Sequence, residues 1–245
     1  KKKINLNGNK FDFIINLAAR AHINKKLSGE NNNIIYNLAN IERNIVNNFD
    51  TKKSKLIQLS SAKVKLNLKN SHLSKNELLY INSKLKSEKI VSKKFNKFII
   101  LRPPLIYGPY VKANFFSLIK AIDRGLPLPF KYLENSRDYL YIKNLLDLII
   151  KIIKDDLFLN KYYYVCDGKS VSTKYLSDLI AKHLSKNPYY FKINMSLLKF
   201  LAKVLGMQSL LNKVFGNFVI DNNYITRDTG WTPKYNLELG IKKTC

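Results

Sequence analysis

The stretch Leu56-Ile57-Gln58-Leu59-Ser60-Ser61 is a short apolar segment that ends in two hydroxyl side chains. Such a run predicts a buried β-strand. Tyr80 follows nineteen residues after Ser61, and Lys84 comes four residues after Tyr80. Residues four apart share one face of a helix, so the lysine ammonium can sit beside the phenol and favour its ionised form. The pattern makes Tyr80 a candidate general acid/base.

The spacing of Tyr80 and Lys84 is not specific by itself, because the chain has 15 tyrosines and 43 basic residues. Tyr139 and Lys143 show the same spacing. Only Tyr80 follows a strand that ends in hydroxyls, and only Tyr80 opens a helix predicted over Ser83–Val91. We therefore expect a catalytic role for Tyr80, the alternative being a tyrosine on a helix surface.

The order of predicted elements indicates an α/β fold. Apolar runs at Phe11–Ala19 and Phe98–Arg102 predict parallel strands buried on both faces, and Pro103-Pro104 ends the second run. A helical stretch at about Ile34–Phe49 lies before the strand Leu56–Ser60. Strand, helix, strand, helix, strand is typical of a Rossmann-like, doubly wound parallel sheet.

The pattern loosens after Tyr107 and predicts a smaller C-terminal part. We expect residues 1–105 to be the remaining part of a dinucleotide-binding domain. Residues 106–245 would form mainly a substrate-binding part, with some segments returning to the first domain. Ser196–Leu205 is a basic amphipathic helix, for which an ordinary domain helix is favoured over contact with a membrane or a partner subunit. Other elements are predicted at Asn114–Arg124 (helix), Tyr139–Tyr141 (strand), Leu145–Ile153 (helix), Tyr162–Cys166 (strand) and after the helix-capping Ser172.

The chain carries a formal charge of +26, from 43 basic and 17 acidic residues. Such an excess raises nucleic acid or an anionic membrane as a partner, but the charge is spread from end to end and no nucleic-acid-binding motif accompanies it. We therefore expect a solvated basic surface, with an anionic small-molecule substrate as a secondary cause. Nucleic-acid binding is the least favoured hypothesis.

The two cysteines, Cys166 and Cys245, are too few for a disulfide framework, and the residues around them do not form a metal-ligand motif. No metal is expected, and a reducing cytoplasm is the compartment that fits best. No apolar run approaches the roughly 18 to 20 residues that span a bilayer, and no signal peptide is evident. We therefore expect no integral membrane segment.

Several motifs together resemble the extended short-chain dehydrogenase/reductases, also called the NAD-dependent epimerase/dehydratase family. The resemblance runs over nearly the whole chain and is closest to UDP-glucose 4-epimerase-like proteins and UDP-N-acetylamino-sugar 4-keto reductases. The segments that carry it are Asp12–Ala19, Ser60-Ser61, Tyr80 with Lys84, Arg102–Pro109, Val111–Phe115, Arg124–Pro129, Asn135–Tyr139 and Thr229–Pro233.

The resemblance implies NAD or NADP as cofactor and a nucleotide sugar, most often a UDP-sugar, as substrate. Tyr80 would exchange a proton with the sugar 4-oxygen, Ser61 would hydrogen-bond that oxygen, and Lys84 would hold the nicotinamide ribose and lower the pKa of Tyr80. Ala18 and Ala19 would pass close to the cofactor. A homodimer is also possible on this resemblance.

The resemblance further assigns substrate contacts in the second part of the chain. Arg137 would pair with the diphosphate, because its planar fork offers charge and parallel donors. Asn114 would add a hydrogen bond, and Leu128 and Phe130 would lie along the base. Structural alternatives remain open: strand packing for Ala18 and Ala19, a cap or turn for Ser60 and Ser61, a helix cap for Asn114, and an ion pair with Glu134 or Asp138 for Arg137.

The sequence departs from the family in its glycines. None of the nine lie close enough together to form the glycine-rich turn that cradles a pyrophosphate. The expected explanation is N-terminal truncation, with the opening strands upstream of Lys1. Two functions stay open: a 4-epimerase or 4-keto reductase, of which this fragment can be inactive, and a non-catalytic binding or regulatory protein that has lost the cofactor loop.

Overall fold

The computed structural model describes residues 11–18, 41, 43–66, 73–206 and 208–245. The chain divides into two compact units, one drawn from Lys1–Pro103 and Ile149–Tyr164, the other from Pro104–Leu148 and Val165–Cys245. The described strands are β1 (Phe13–Asn16), β2 (Lys55–Leu59), β3 (Lys97–Arg102), β4 (Leu105–Tyr107), β5 (Tyr139–Tyr141) and β6 (Lys161–Tyr164). The described helices are α1 (Lys75–Lys94), α2 (Ala113–Asp123), α3 (Ile142–Lys154), α4 (Thr173–Leu184), α5 (Met195–Val204), α6 (Gln208–Phe215), α7 (Asn223–Thr229) and α8 (Leu237–Lys242), with a 3-10 helix at Ala62–Lys65.

The first unit is built on a parallel sheet in the order β1-β2-β3-β6. Its central strands are buried on both faces, which is why β2 and β3 are nearly continuous apolar runs. In register, Ile14 lies opposite Leu56, and Leu56 lies opposite Phe98. These side chains pack with Val91 of α1 in the core of this unit.

Strand β1 differs from the expectation of burial on both faces. Ile14 and Asn16 are buried, but Phe13 and Ile15 are exposed. Within the described residues, β1 pairs with β2 alone and therefore lies at the edge of the sheet. An apolar run indicates that a strand tends to be buried. Which of its faces is buried depends on the elements that pack against it.

Helix α1 begins earlier than the predicted Ser83–Val91. Ser74 is its N-cap, because the Ser74 hydroxyl accepts from the Glu77 N–H and the Glu77 carboxylate accepts from the Ser74 N–H. This capping box supplies two of the hydrogen bonds that a helix start lacks. Tyr80 therefore lies inside the helix, not before it.

An ion pair joins α1 to β3. The Arg102 guanidinium donates from Nε and Nη2 to the two carboxylate oxygens of Glu88, at 2.9 and 2.6 Å. Glu88 is buried, and the same guanidinium lies over the rings of Tyr162 and Tyr164 on β6. A buried charge costs several kcal/mol when it loses its partner, so the pair is expected to hold the helix on the sheet.

We predict that Glu88→Ala lowers the free energy of unfolding by about 3 kcal/mol, because it leaves the Arg102 charge half-buried without its carboxylate. The matched control is Asp155→Ala, which breaks the exposed Lys151–Asp155 pair and should cost less than about 0.5 kcal/mol. Urea unfolding of both variants, followed by circular dichroism, provides the comparison. Equal small losses in the two variants would show that the buried pair does not hold α1.

The second unit contains the parallel pair β4–β5 and an aromatic core. The Tyr107 ring stacks on Phe115 at 5.5 Å and meets the rings of Tyr139 and Tyr141. Helix α4 packs against this core with an apolar stripe, and its N-cap is Ser172, whose hydroxyl accepts from the Tyr175 N–H. The predicted cap and helix are thereby confirmed.

A carboxylate is partly buried beside this aromatic core. Asp167 accepts hydrogen bonds from the Tyr107 hydroxyl, the Tyr141 N–H and the Asn144 amide, at 3.1, 3.0 and 2.7 Å. Burial nevertheless raises the pKa of Asp167 to about 6, because it outweighs these bonds, and the nearby charge of Asp138 acts in the same direction.

We predict that the Asp167 carboxyl titrates with a midpoint near pH 6 in the folded protein. The unfolded pKa is about 3.9, so between these values the folded chain binds more protons than the unfolded chain. The contribution of this group to stability is therefore complete below pH about 4 and falls, by about 3 kcal/mol, as the pH rises through 6. Carbon NMR of the carboxyl group gives the midpoint, Asp167→Asn assigns the signal, and a midpoint near 4 would contradict the prediction.

Within the part of the chain that the structure describes, no helix is long and apolar enough to cross a membrane.

Candidate active site

The carboxyl ends of β2 and β3 place the two predicted hydroxyls. The Ser60 N–H donates to the Leu101 carbonyl at 2.8 Å, and the Ala62 N–H donates to the Pro103 carbonyl at 2.7 Å. The chain that carries Ser60 and Ser61 is thus tied to the neighbouring strand just beyond the sheet. In open parallel sheets, this edge is where ligands bind.

Ser61 caps the 3-10 helix that follows it, since its hydroxyl accepts from the Lys63 N–H at 3.3 Å. Ser61 therefore does act as a helix cap, which was the structural alternative to a catalytic role. The same hydroxyl also interacts with the Tyr80 phenol, where it acts on the acidity of the tyrosine. The structure brings Ser61 and Tyr80 together although they come from different elements.

Tyr80 is half-buried, and its pKa is raised above the ordinary value. Burial is the larger cause because it penalises the phenolate, while the hydrogen bond with Ser61 lowers the pKa by less. The sequence had indicated a lowered pKa from the neighbouring ammonium. In the structure, the hydrogen bond with Ser61 is the interaction that lowers the pKa of Tyr80, and burial of the phenol outweighs it.

Lys84 is buried one helical turn after Tyr80, and its ammonium donates to the Leu59 carbonyl at 3.1 Å. A buried ammonium needs such an acceptor, because desolvation of an unpaired charge is costly. The contact fixes Lys84 at the end of β2, close to the chain that carries Ser60 and Ser61.

The end of β1 is shaped by two buried amides that the sequence had not singled out. The Asn16 side-chain amide donates from Nδ2 to the Gln58 side-chain oxygen at 2.8 Å, and the Asn16 side-chain oxygen Oδ1 accepts from the Ala18 N–H at 3.1 Å. Ala18 is exposed at this edge. Ala19 lies outside the described residues. Amides that face each other on adjacent strands, as Asn16 and Gln58 do, were the available signal.

The residues at this edge fit the nicotinamide end of a dinucleotide. Ser60 has a buried hydroxyl with no partner among the described residues, which suits a polar ligand group. Lys84 and the Tyr80 phenol would hold the ribose, and Ala18 adds no bulk where the ring would lie. For the pyrophosphate, the sequence offers no glycine-rich turn, so its contacts cannot be assigned within this chain.

The predicted substrate residues belong to the second unit. The Arg137 guanidinium donates from Nη1 to the carbonyls of Gly216 and Asn212, at 2.6 and 3.4 Å, and also interacts with the Tyr139 phenol. These carbonyls lie at and just after the C-terminal end of α6. Neither alternative ion pair, with Glu134 or with Asp138, is found among the described contacts.

Asn114 is exposed in the first turn of α2, and the N-cap of that helix is Lys112, without a side-chain bond. The alternative role of Asn114 as a cap is therefore wrong. Leu128 and Phe130 are buried in the core of the second unit. The Leu128 N–H donates to the Tyr189 carbonyl, and the Leu128 carbonyl accepts from the Phe191 N–H. The side chains of Leu128 and Phe130 pack inward.

Among the described residues, no three histidine, cysteine or acidic side chains come together as a metal site.

Solved structures with the same fold include an enzyme described as a UDP-glucose 4-epimerase and an enzyme solved with NAD and UDP. UDP-glucose 4-epimerase of Thermotoga maritima, solved with UDP-glucose, matches 95% of this chain and 75% of its own with a TM-score of 0.64 and 18% identity. The WbmG enzyme of Bordetella bronchiseptica, solved with NAD and UDP, matches 95% and 71% with a TM-score of 0.63 and 13% identity. These matches confirm the Rossmann-like α/β fold.

The sequence itself identifies the family. The model of the NAD dependent epimerase/dehydratase family matches residues 3–164, and the chain belongs to that family. UDP-glucose 4-epimerase of Vibrio cholerae is 33% identical over 147 residues, which are 60% of this chain and 45% of that protein. An uncharacterised protein of Methanocaldococcus jannaschii is 29% identical over 152 residues, 42% of its length. The chain thus matches less than half the length of these curated relatives.

We predict that the Tyr80 phenol titrates above its ordinary pKa of 10.0, because burial penalises the phenolate. Ser61→Ala should move the midpoint further upward, since it removes the hydrogen bond that favours ionisation. Carbon NMR of the tyrosine ring, with Tyr80→Phe to assign the signal, measures both values. A midpoint below 10, or a downward shift in Ser61→Ala, would contradict this account of the site.

Proposed function

We propose that the protein modifies C4 of a nucleotide sugar, with a UDP-sugar as substrate, as a 4-epimerase or a 4-keto reductase. The observation that carries this proposal is the interaction of the Tyr80 phenol with the Ser61 hydroxyl at the carboxyl edge of the parallel sheet. Membership of the family and the 33% identity with an UDP-glucose 4-epimerase support the same chemistry.

Each residue has a distinct part in this proposal. A bound nicotinamide cofactor supplies or takes up the hydride. Tyr80 transfers the proton at the sugar 4-oxygen, and Ser61 donates a hydrogen bond to that oxygen. Lys84, anchored on Leu59, orients the ribose. Arg137 and Asn114 in the second unit would bind the diphosphate, and the segment from Leu128 to Phe130 would run along the base.

The raised pKa of Tyr80 bears on the direction of proton transfer. A phenol that stays protonated at neutral pH is ready to donate to a 4-keto oxygen, which is the step that reduction needs. An epimerase needs the same group to accept a proton in its first half-reaction. Both activities therefore use Tyr80, and they differ in the direction of the proton transfer.

The alternative function is a non-catalytic binding or regulatory protein of the same fold. It is supported by the absence of a glycine-rich turn from the sequence, since without such a turn the pyrophosphate loses its usual helix N-terminus. Turnover of any UDP-sugar that depends on Tyr80 separates the two functions.

We predict that Tyr80→Phe lowers kcat by about 100- to 10,000-fold in the protein produced from its natural gene, because the proton donor is lost. Lys84→Met should impair cofactor binding and turnover together. The matched controls are Tyr132→Phe, at an exposed tyrosine, and Lys143→Met, at the lysine of the other Tyr-x-x-x-Lys pair. Both controls should keep the activity of the unmodified protein.

The assay offers UDP-sugars and UDP-4-keto-sugars with NAD(H) and NADP(H). Net loss of reduced cofactor identifies a reductase, and interconversion of sugars without net loss identifies an epimerase. Activity that survives in Tyr80→Phe would remove Tyr80 from catalysis. A protein without any turnover, and with no affinity for either cofactor, would instead support the non-catalytic function.

A further inference from the structure

Helix α5 has two apolar faces, and only one of them is used by the fold. Ala202, on one face, is buried. On the opposite side, Leu197, Phe200 and Val204 are 57%, 62% and 66% exposed. Their spacing of three and then four residues places them on one face of the helix. Folding of the unit does not require this second apolar stripe.

The exposed stripe continues at both ends of the helix. Leu205 follows Val204 and is also largely exposed. At the other end, Lys192 lies 5.7 Å over the ring of Tyr132, which is 69% exposed, and residues 192–194 lead directly into α5. An exposed tyrosine with a lysine beside an apolar helix face is a combination typical of membrane interfaces.

Basic residues dominate the charge of α5 and its flanking segments, while Glu134 is the exposed acidic residue nearest in sequence to Tyr132. No acidic residue occurs in the sequence between Asp178 and Asp221. Lys199 and Lys203 are exposed on α5 beside the apolar stripe. Among the described contacts, neither of these lysines nor Lys192 has an acidic partner.

A second exposed apolar pair lies on α3, and the charged residues around it differ from those around the stripe on α5. Leu146 and Ile150 are four residues apart and about half exposed. There Asp147 bonds the Trp231 ring N–H and pairs with Lys234, while Lys151 pairs with Asp155. Two carboxylates thus stand beside this apolar pair and each has a lysine partner, whereas α5 carries no acidic residue.

We propose that α5, together with Tyr132, binds the surface of an anionic membrane, with the helix lying in the plane of the interface. The ten-residue helix is about 15 Å long and so covers only half of a bilayer core. Its apolar stripe enters the headgroup boundary while Lys192, Lys199 and Lys203 meet the lipid phosphates. A second copy of the chain fits less well, because the same basic patch would face itself across a two-fold axis.

The test is co-sedimentation of the full chain with vesicles of phosphatidylcholine containing about 30% phosphatidylglycerol, compared with phosphatidylcholine alone. The chain should bind the anionic vesicles and be released by salt. Phe200→Ser with Val204→Ser should weaken binding at least tenfold. Lys199→Gln with Lys203→Gln should weaken it about 30-fold, from two lysines near a charged surface.

The matched control is Leu146→Ser with Ile150→Ser, which removes an exposed apolar pair of the same spacing from α3 and should leave vesicle binding unchanged. All three double variants change exposed side chains, and equal thermal unfolding confirms that they fold. Light scattering is measured on the same samples without vesicles, substrate or cofactor, so the result does not depend on the enzymatic proposal.

Failure of the unmodified chain to bind anionic vesicles would overturn the proposal. Equal binding by Phe200→Ser/Val204→Ser would also overturn it, because the stripe would then not be the contact. If the chain is a dimer that this variant converts to a monomer, and no vesicles are bound, the surface joins two copies instead and the membrane proposal is wrong.

Discussion

The parallel pairing of β2 with β3 is the constraint on which the candidate active site depends. Because both strands run in the same direction, the backbone of Ser60 and Ala62 reaches carbonyls just beyond the end of β3. A slip of one residue in this register would turn the side chains of β2 to the opposite face of the sheet. The location of the Ser61 hydroxyl, and of the phenol that interacts with it, follows from this pairing.

Polar contacts join helix α1 to the sheet in addition to its buried apolar residues. Tyr80, Lys84 and Glu88 follow one another at intervals of four and so share one side of the helix. Lys84 is bound to the carbonyl of Leu59 at the end of β2, and Glu88 to Arg102 at the end of β3. Buried charges are stable only with such partners. The contacts that stabilise the two buried charges therefore also fix the position of Tyr80 relative to the end of the sheet.

The sequence predicted correctly those elements that depend on a few residues close together in the chain. The apolar runs of β2 and β3 and the cap of α4 were evident because each depends on a few neighbouring residues. The start of α1 was equally visible as Ser74 followed by Glu77, and was missed because the prediction centred on Tyr80. The partners of Arg137 could not be found in this way, since its carbonyl acceptors lie 75 and 79 residues further along the chain. The raised pKa of Tyr80 also depends on burial, which spacing does not report.

The contacts of Arg137 are compatible with anion binding. Its Nη1 donates to carbonyls at the end of α6, where the helix dipole is negative and attracts a cation. Further N–H donors remain on Nη2 and Nε, and the positive charge is only partly offset by backbone dipoles. The amide of Asn135 donates to the same Gly216 carbonyl, and the Phe218 N–H donates to the Ser136 carbonyl, so hydrogen bonds tie the segment after α6 to the segment that carries Arg137. In the function proposed above, Arg137 binds the diphosphate, and a guanidinium held in this manner would lose less conformational entropy on binding than a free side chain, so its structural contacts would favour that role.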